Sequence, residues 1–202
     1  AITRRTGAFE AVAIWAAKVT KGRPLWLLAL LSFITAVASA FLDNVTTVLL
    51  VVPVTLTLTD KLDVNPIPFL VSEIMASNIG GTATLIGDPP NIMIGSAVGL
   101  SFNDFLLELT PVCTIILIVT VALLMFFYRK DLDVTEENRS KVLALDAAAQ
   151  IKDWLLLKKS LAVLALTIGS FMLHGMLHLE SATLAMTGAM ILLLISKEEP
   201  ED

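Results

Sequence analysis

Basic residues are missing from most of this 202-residue sequence: between Arg23 and Arg129 only Lys61 occurs. Charged residues of both signs make up 16%, against about 25% in an ordinary soluble domain. Cysteine is nearly absent as well. The single Cys113 lies inside an apolar run, which excludes a disulfide framework or a cysteine metal cluster within this chain. The composition also excludes disorder, coiled coil and collagen. What is present instead is apolar side chain: 56% of residues are A, V, I, L, M, F, W, Y or C, and the mean hydropathy is +0.82. A soluble domain of this length has no interior able to hold so much. The sequence is that of an all-α polytopic membrane protein. Its net charge of −5 says little, because charge in such proteins matters by location. The chain starts at Ala1 without a signal-peptide layout and stops at Asp202 just after an apolar run, so the expectation is a piece of a longer protein.

A membrane helix needs about 20 apolar residues. The apolar runs here are uneven: 25–42, 45–59, 66–77, 91–100, 105–128, 161–177 and 182–195. Residues 129–159 differ, with thirteen charges of mixed sign. That mixture marks a solvated linker and no nucleic-acid surface. Leu143, Ala147, Ile151, Trp154 and Leu155 stand at helical spacing and predict an amphipathic helix on the membrane surface.

Lysine and arginine set orientation. All fourteen fall in 1–24, at Lys61, in 129–159 or at Lys197, whereas 99–104 and 174–181 have none. The former segments are therefore placed inside and the latter outside. Residues 25–59 must then start and end inside, with only Asp43 and Asn44 between the two arms. A re-entrant hairpin with its polar tip near mid-membrane fits better than two full spans. Residues 66–100 must cross once, but Gly80, Gly81, Gly87, Pro89 and Pro90 interrupt them. Asp88 before Pro89 reads as a helix start. Two half-helices meeting at an unwound stretch follow, and such breaks survive at membrane depth only where the backbone lines a site.

Asp43, Glu73 and Asp88 fall in these segments with no Lys or Arg beside them. Each costs about 2.5–3.5 kcal/mol if charged in hydrocarbon. They are protonated, solvated, held by helix N-termini, or bound to a cation. Thr46, Thr47, Thr82 and Thr84 add hydroxyls, unwinding at Gly80 and Gly81 frees carbonyls, and Asn44, Asn78 and Asn91 complete the candidate ion- and substrate-binding set. Oxygen ligands of these kinds suit Na⁺ or H⁺. Glu73, about 10 Å into its half-helix, is a further candidate, set evenly against plain packing. Capping alone also accounts for Asp43 and Asp88. His174 and His178 are spaced for a metal but read as an interfacial pair, Gly95 and Gly99 as a close-packing motif, and Cys113 as a small buried hydrophobe.

Two stretches carry a resemblance. Phe41-Leu-Asp-Asn-Val-Thr-Thr-Val-Leu-Leu-Val-Val-Pro53 and Ala76-Ser-Asn-Ile-Gly-Gly-Thr-Ala-Thr-Leu-Ile-Gly-Asp-Pro-Pro-Asn-Ile-Met93 resemble the signature stretches of the ArsB/NhaD permeases. That group holds arsenite permeases, NhaD-type sodium–proton antiporters and the P protein, within the ion transporter superfamily. The resemblance runs from about residue 7 to 132. It implies two inverted repeats, each with one re-entrant hairpin and one broken helix, in a homodimer. The implied layout is a first repeat over 1–128 (interfacial helix 7–20, hairpin 25–59, broken helix 66–100, span 105–128), a cytoplasmic linker over 129–159, and the first two spans of a second repeat over 160–202. The chain would then hold half of a binding site.

The function this implies is secondary active transport of an inorganic ion, small anion or neutral oxyacid coupled to H⁺ or Na⁺, of the arsenite-efflux or sodium–proton antiport type. Partners are the lipid bilayer and the transported ion. No cofactor, no catalytic residue and no metal centre is expected. Related dicarboxylate transporters have Ser-Asn-Thr at the hairpin tip where this chain has Asp43-Asn44-Val45-Thr46, and the added carboxylate would repel a dicarboxylate. A Na⁺-coupled dicarboxylate or citrate transporter is the alternative. An ion channel with a re-entrant pore loop is a more distant one, because the alternating glycines of a potassium filter are missing around 82–88. No nucleophile–base pair supports an enzyme.

Overall fold

The computed structural model describes the backbone of residues 6–177 and 181–196 and the side chains of 6–172 and 183–196. Every regular element among them is helical. The chain divides into two compact units, Phe9–Ala147 and a second formed by Ala1–Ala8 with Ala148–Asp202.

The first unit opens with α1 (Ala8–Val19), whose Glu10 and Lys18 sit at the ends that the helix dipole favours. The chain then turns through left-handed Lys21 and Gly22, with the Gly22 N–H closing back to the Ala17 carbonyl at 2.8 Å. Pro24 supplies the first residue of α2 (Pro24–Ser39). α1 is more than an interfacial helix. Its Ala13, Ile14, Ala16 and Ala17 join Leu27, Leu28 and Leu31 of α2 and Leu58, Leu62 and Phe69 in the main core.

Four residues after α2, α3 (Asn44–Leu62) begins. It outruns the 15-residue apolar arm expected from the sequence. Asp60, Lys61 and Leu62 continue the helix, with Lys61 at its negative end, until Asp63 adopts the left-handed conformation at φ 56°. α4 (Ile67–Thr82) follows. Its helix stops, and α5 (Pro89–Val98) restarts after the non-helical residues 83–88. α4 packs on α2 above all, then on α6 and α3. α6 (Phe102–Tyr128) has 27 residues and starts with a reciprocal cap between Ser101 and Asp104. Cys113 is buried in it, 7% exposed. Gly95 packs towards Leu85 and Phe105, as close packing requires. Gly99 does not share that role: at φ +77° with open space around it, it is the left-handed C-cap of α5.

The amphipathic helix expected through Leu143, Ala147, Ile151, Trp154 and Leu155 does not form as one element. α7 (Glu136–Leu143), capped by Thr135, ends first, a single 3₁₀ turn occupies Ala148–Gln150, and α8 (Trp154–Leu177) begins anew. The reason is local. Asp153 accepts from the Leu156 N–H at 2.8 Å and acts as an N-cap, which an aspartate does better than it serves a helix interior. α7 itself is docked. Arg139 donates from Nε and Nη2 to the Lys21 carbonyl at 3.1 and 3.0 Å, and Asn138 donates to the Leu62 carbonyl at 3.4 Å.

In the second unit α8 pairs with α9 (Ser181–Ser196). A Cβ on Gly188 would overlap the Thr167 hydroxyl, so the two helices approach closely there. His178 lies outside the described residues, as does the side chain of His174. By length and composition, Asn44–Leu62, Phe102–Tyr128 and Trp154–Met172 can each cross a membrane, while Pro24–Ser39 and Thr183–Ser196 are apolar but shorter. α6 turns Leu107, Ile115, Ile118 and Phe127 outward, each more than 60% exposed, as a lipid-facing helix does.

Candidate functional site

The α2–α3 connection lies against the break between α4 and α5. Ser39 Oγ donates to Asn44 Oδ1 at 2.8 Å, and Asn44 Nδ2 donates to Asn78 Oδ1 at 3.3 Å. Thr84 Oγ1 donates to the Ala40 carbonyl and accepts from the Gly87 N–H at 3.2 Å. Glycine makes this approach possible. A Cβ on Gly81 would overlap Asn44 Oδ1, and one on Gly87 would press on the Gly81 and Ser39 carbonyls. Gly80, the residue before Gly81, lies directly on the Ala36 backbone.

The carbonyls released by unwinding have destinations, as buried backbone must. The Gly80 carbonyl accepts from the Ala83 N–H at 3.0 Å. Those of Gly81, Thr82 and Thr84 converge on Asn91 Nδ2 at 3.5, 3.1 and 2.8 Å. That of Ala83 accepts from Thr110 Oγ1 at 3.1 Å. Asn91, 8% exposed on the first turn of α5, thus clamps the break. Asn91→Ala is expected to destabilise the purified protein by about 1–3 kcal/mol, by orphaning buried acceptors. Asn91→Asp should cost more, since an oxygen would then face carbonyl oxygens. Thermal midpoints in detergent order the two, and equal midpoints would refute the clamp.

The acids are placed apart from this network. Asp43 is exposed and caps α3, with Oδ1 accepting from the Thr46 N–H at 3.0 Å and Oδ2 from the Thr46 hydroxyl. Asp88 occupies the N-cap position of α5 but makes no side-chain capping bond. Pro89 and Pro90 have no N–H to offer, and the Asn91 N–H is taken by the Asp88 carbonyl at 3.0 Å. Half-buried, Asp88 keeps both carboxylate oxygens free of that duty. Glu73 is fully buried on α4 and bonds to Thr55 on α3.

Of the sequence candidates, Asn44, Asn78, Gly81, Thr82, Thr84 and Asn91 are joined by hydrogen bonds or close approach. Thr82 spends its hydroxyl on the Asn78 carbonyl at 2.8 Å, and Thr47 is buried with its hydroxyl lacking a partner among the described residues. Ser39, Gly87 and Thr110 join this network from outside the candidate set. Ser39 and Gly87 lie inside or beside the two motif stretches, whereas no sequence signal marks Thr110. Among the described residues, no three His, Cys, Asp or Glu side chains gather as a metal site.

Comparison with known proteins shows the family of the chain. An uncharacterized transporter of Mycobacterium tuberculosis is 48% identical over 195 residues, covering 96% of this chain and 45% of that protein. The magnetosome protein MamN of Magnetospirillum gryphiswaldense is 32% identical over 206 residues, covering 100% of this chain and 46% of its own. The human P protein is 41% identical over 133 residues, 63% of this chain and 16% of its own. The chain thus spans about half the length of the first two. The family model described as citrate transporter matches residues 1–202, and the chain belongs to that family of integral membrane proteins.

Proposed function

We propose that this chain forms one half of a secondary active transporter, and that the α2–α3 tip and the α4–α5 break together make its half of the ion- and substrate-binding site. One observation carries the reading: the tip is hydrogen-bonded onto the break through Asn44–Asn78 and Thr84–Ala40. A glycine-lined helix break packed against a second set of helix ends brings several helix termini, with their dipoles, to one place at membrane depth, which is how a membrane protein holds an ion. The α2–α3 pair is re-entrant from the inside, the basic segments are cytoplasmic, and the chain acts as a non-enzyme within a homodimer.

The finer placement is with the ArsB/NhaD permeases. The 133-residue match to the human P protein, a member of that group, supports it. The substrate is an inorganic cation or a neutral oxyacid exchanged against H⁺ or Na⁺, because the exposed Asp43 beside the tip disfavours a multiply charged anion. The family's description as citrate transporter favours a second reading, a carboxylate accompanied by cations. The protein made from its complete gene, reconstituted in liposomes, is expected to move Na⁺ or arsenite saturably under an imposed pH gradient. Uptake of citrate in preference to both would select the second reading. Flux that neither saturates nor responds to a second ion gradient would overturn transport and indicate a channel.

A further inference from the structure

We infer that Glu73 is a proton-binding site of this protein, separate from the tip and break, and that it holds its proton in the conformation described here. The inference rests on the transporter reading and adds a locus to it. Glu73 lies on the face of α4 that also carries Ser77, Gly80 and Gly81, about 15 Å before the break by helical rise. Its side chain is 0% exposed. Oε1 accepts from Thr55 Oγ1 across the α3–α4 interface, and Oε2 is buried without a hydrogen-bond partner among the described residues.

The neighbouring hydroxyls do not solvate it. Ser72 and Ser77 donate to carbonyls of their own helix, Phe69 and Ile74, at 2.8 and 2.9 Å, and Thr59 donates to the Thr55 carbonyl at 3.0 Å. Nor does any opposite charge. α2 has no ionisable side chain. α3 carries Asp43 at its cap and Asp60 and Lys61 in its last turn. α6 carries Asp104, Glu108, Cys113 and Tyr128. None of these is bonded to Glu73. A carboxylate with one neutral donor and one orphaned oxygen is too costly to leave charged in such a place. As a carboxylic acid it is tolerable there. A merely structural polar group would be cheaper as glutamine, which never exposes the fold to a buried charge.

The group therefore has the properties of a carrier. A proton from water adds to the carboxylate when the α3–α4 interface admits solvent. It stays while Thr55 and Glu73 are closed on each other, and it returns to water at the next opening. No other reactant is needed.

The test uses the protein made from its complete gene. Infrared difference titration in detergent, with no substrate added, is expected to show a carboxylic-acid carbonyl band at neutral pH that Glu73→Gln removes. A folded Glu73→Gln protein with the band unchanged overturns the inference. Should Glu73→Gln not fold, Thr55→Val retains the acid and removes its one donor. It should move the midpoint at which the band titrates, and an unmoved midpoint overturns the inference equally. In liposomes, Glu73→Gln is expected to keep substrate exchange at equal pH on both sides and to lose accumulation driven by a pH gradient. Full retention of that accumulation also overturns it. Absence of all transport by the unsubstituted protein would sink the transporter reading, while the infrared result would still decide Glu73.

Discussion

Gly80→Ala is expected to lower the stability of the purified protein by about 1–3 kcal/mol and to abolish transport, although it adds one methyl group to a good helix former. The added Cβ would fall on the carbonyl, carbonyl carbon and Cα of Ala36. None of these is the end of a flexible side chain. The Ala36 carbonyl already accepts from the Ala40 N–H at 3.0 Å, so it cannot rotate away without breaking the last turn of α2. Displacing α2 carries Ala40 with it, and the Ala40 carbonyl is where Thr84 ties the tip to the break. One methyl thus acts on packing and on site geometry at once. Gly169→Ala is the matched control. Its Cβ would meet open space in the middle of α8, so alanine should be neutral or slightly stabilising. Thermal midpoints in detergent, with transport measured on the same preparations, check both. Equal effects at the two positions would mean that the α2–α4 approach does not constrain the site.

How far these features are legible in the sequence depends on their range. The start of α3 at Asp43 and of α5 at Pro89 is readable because capping and the proline constraint act within three residues. The interruption between α4 and α5 is readable from Gly80, Gly81, Gly87, Pro89 and Pro90 for the same reason. What the break's carbonyls do is not. The expectation that unwinding frees them fails because Asn91 reaches back seven to ten residues and Thr110 reaches across from α6. Nothing about an asparagine after two prolines announces three acceptors. Likewise the pairing of Glu73 with Thr55 spans eighteen positions and two helices. The resemblance implies an interfacial helix over 7–20, and only tertiary packing reveals that Ala13, Ala16 and Ala17 are core residues. The amphipathic pattern at 143–155 misleads for the opposite reason. A helical period is present, but Asp153 offers the local backbone a better bond as a cap.

Asp43→Asn is expected to leave folding and membrane insertion intact while removing the cation dependence of transport. The structure sharpens the test, because both carboxylate oxygens are engaged by one residue, Thr46, through its N–H and its hydroxyl. Asparagine retains the oxygen that accepts from the N–H, and the threonine hydroxyl can turn to accept from the new amide. Asn and Asp cap helices about equally, so the helix start survives. What disappears is the charge, at an exposed position three residues from Ala40 and next to Asn44, where the positive N-terminus of α3 meets the negative C-terminus of α2. If Asp43 holds the coupling cation, protons and Na⁺ compete for it. Apparent cation affinity then falls as the pH falls, and the substitution flattens that dependence. If it is only a cap, the pH profile and cation dependence stay as they were. Asp43→Ala removes cap and charge together, costs about 1 kcal/mol, and does not discriminate. Cation-driven transport by the reconstituted protein from its complete gene, followed from mildly acid to alkaline pH, separates the cases. An unchanged profile would transfer the role to Asp88, whose carboxylate is half-buried beside the break and spared from capping by the two prolines that follow it.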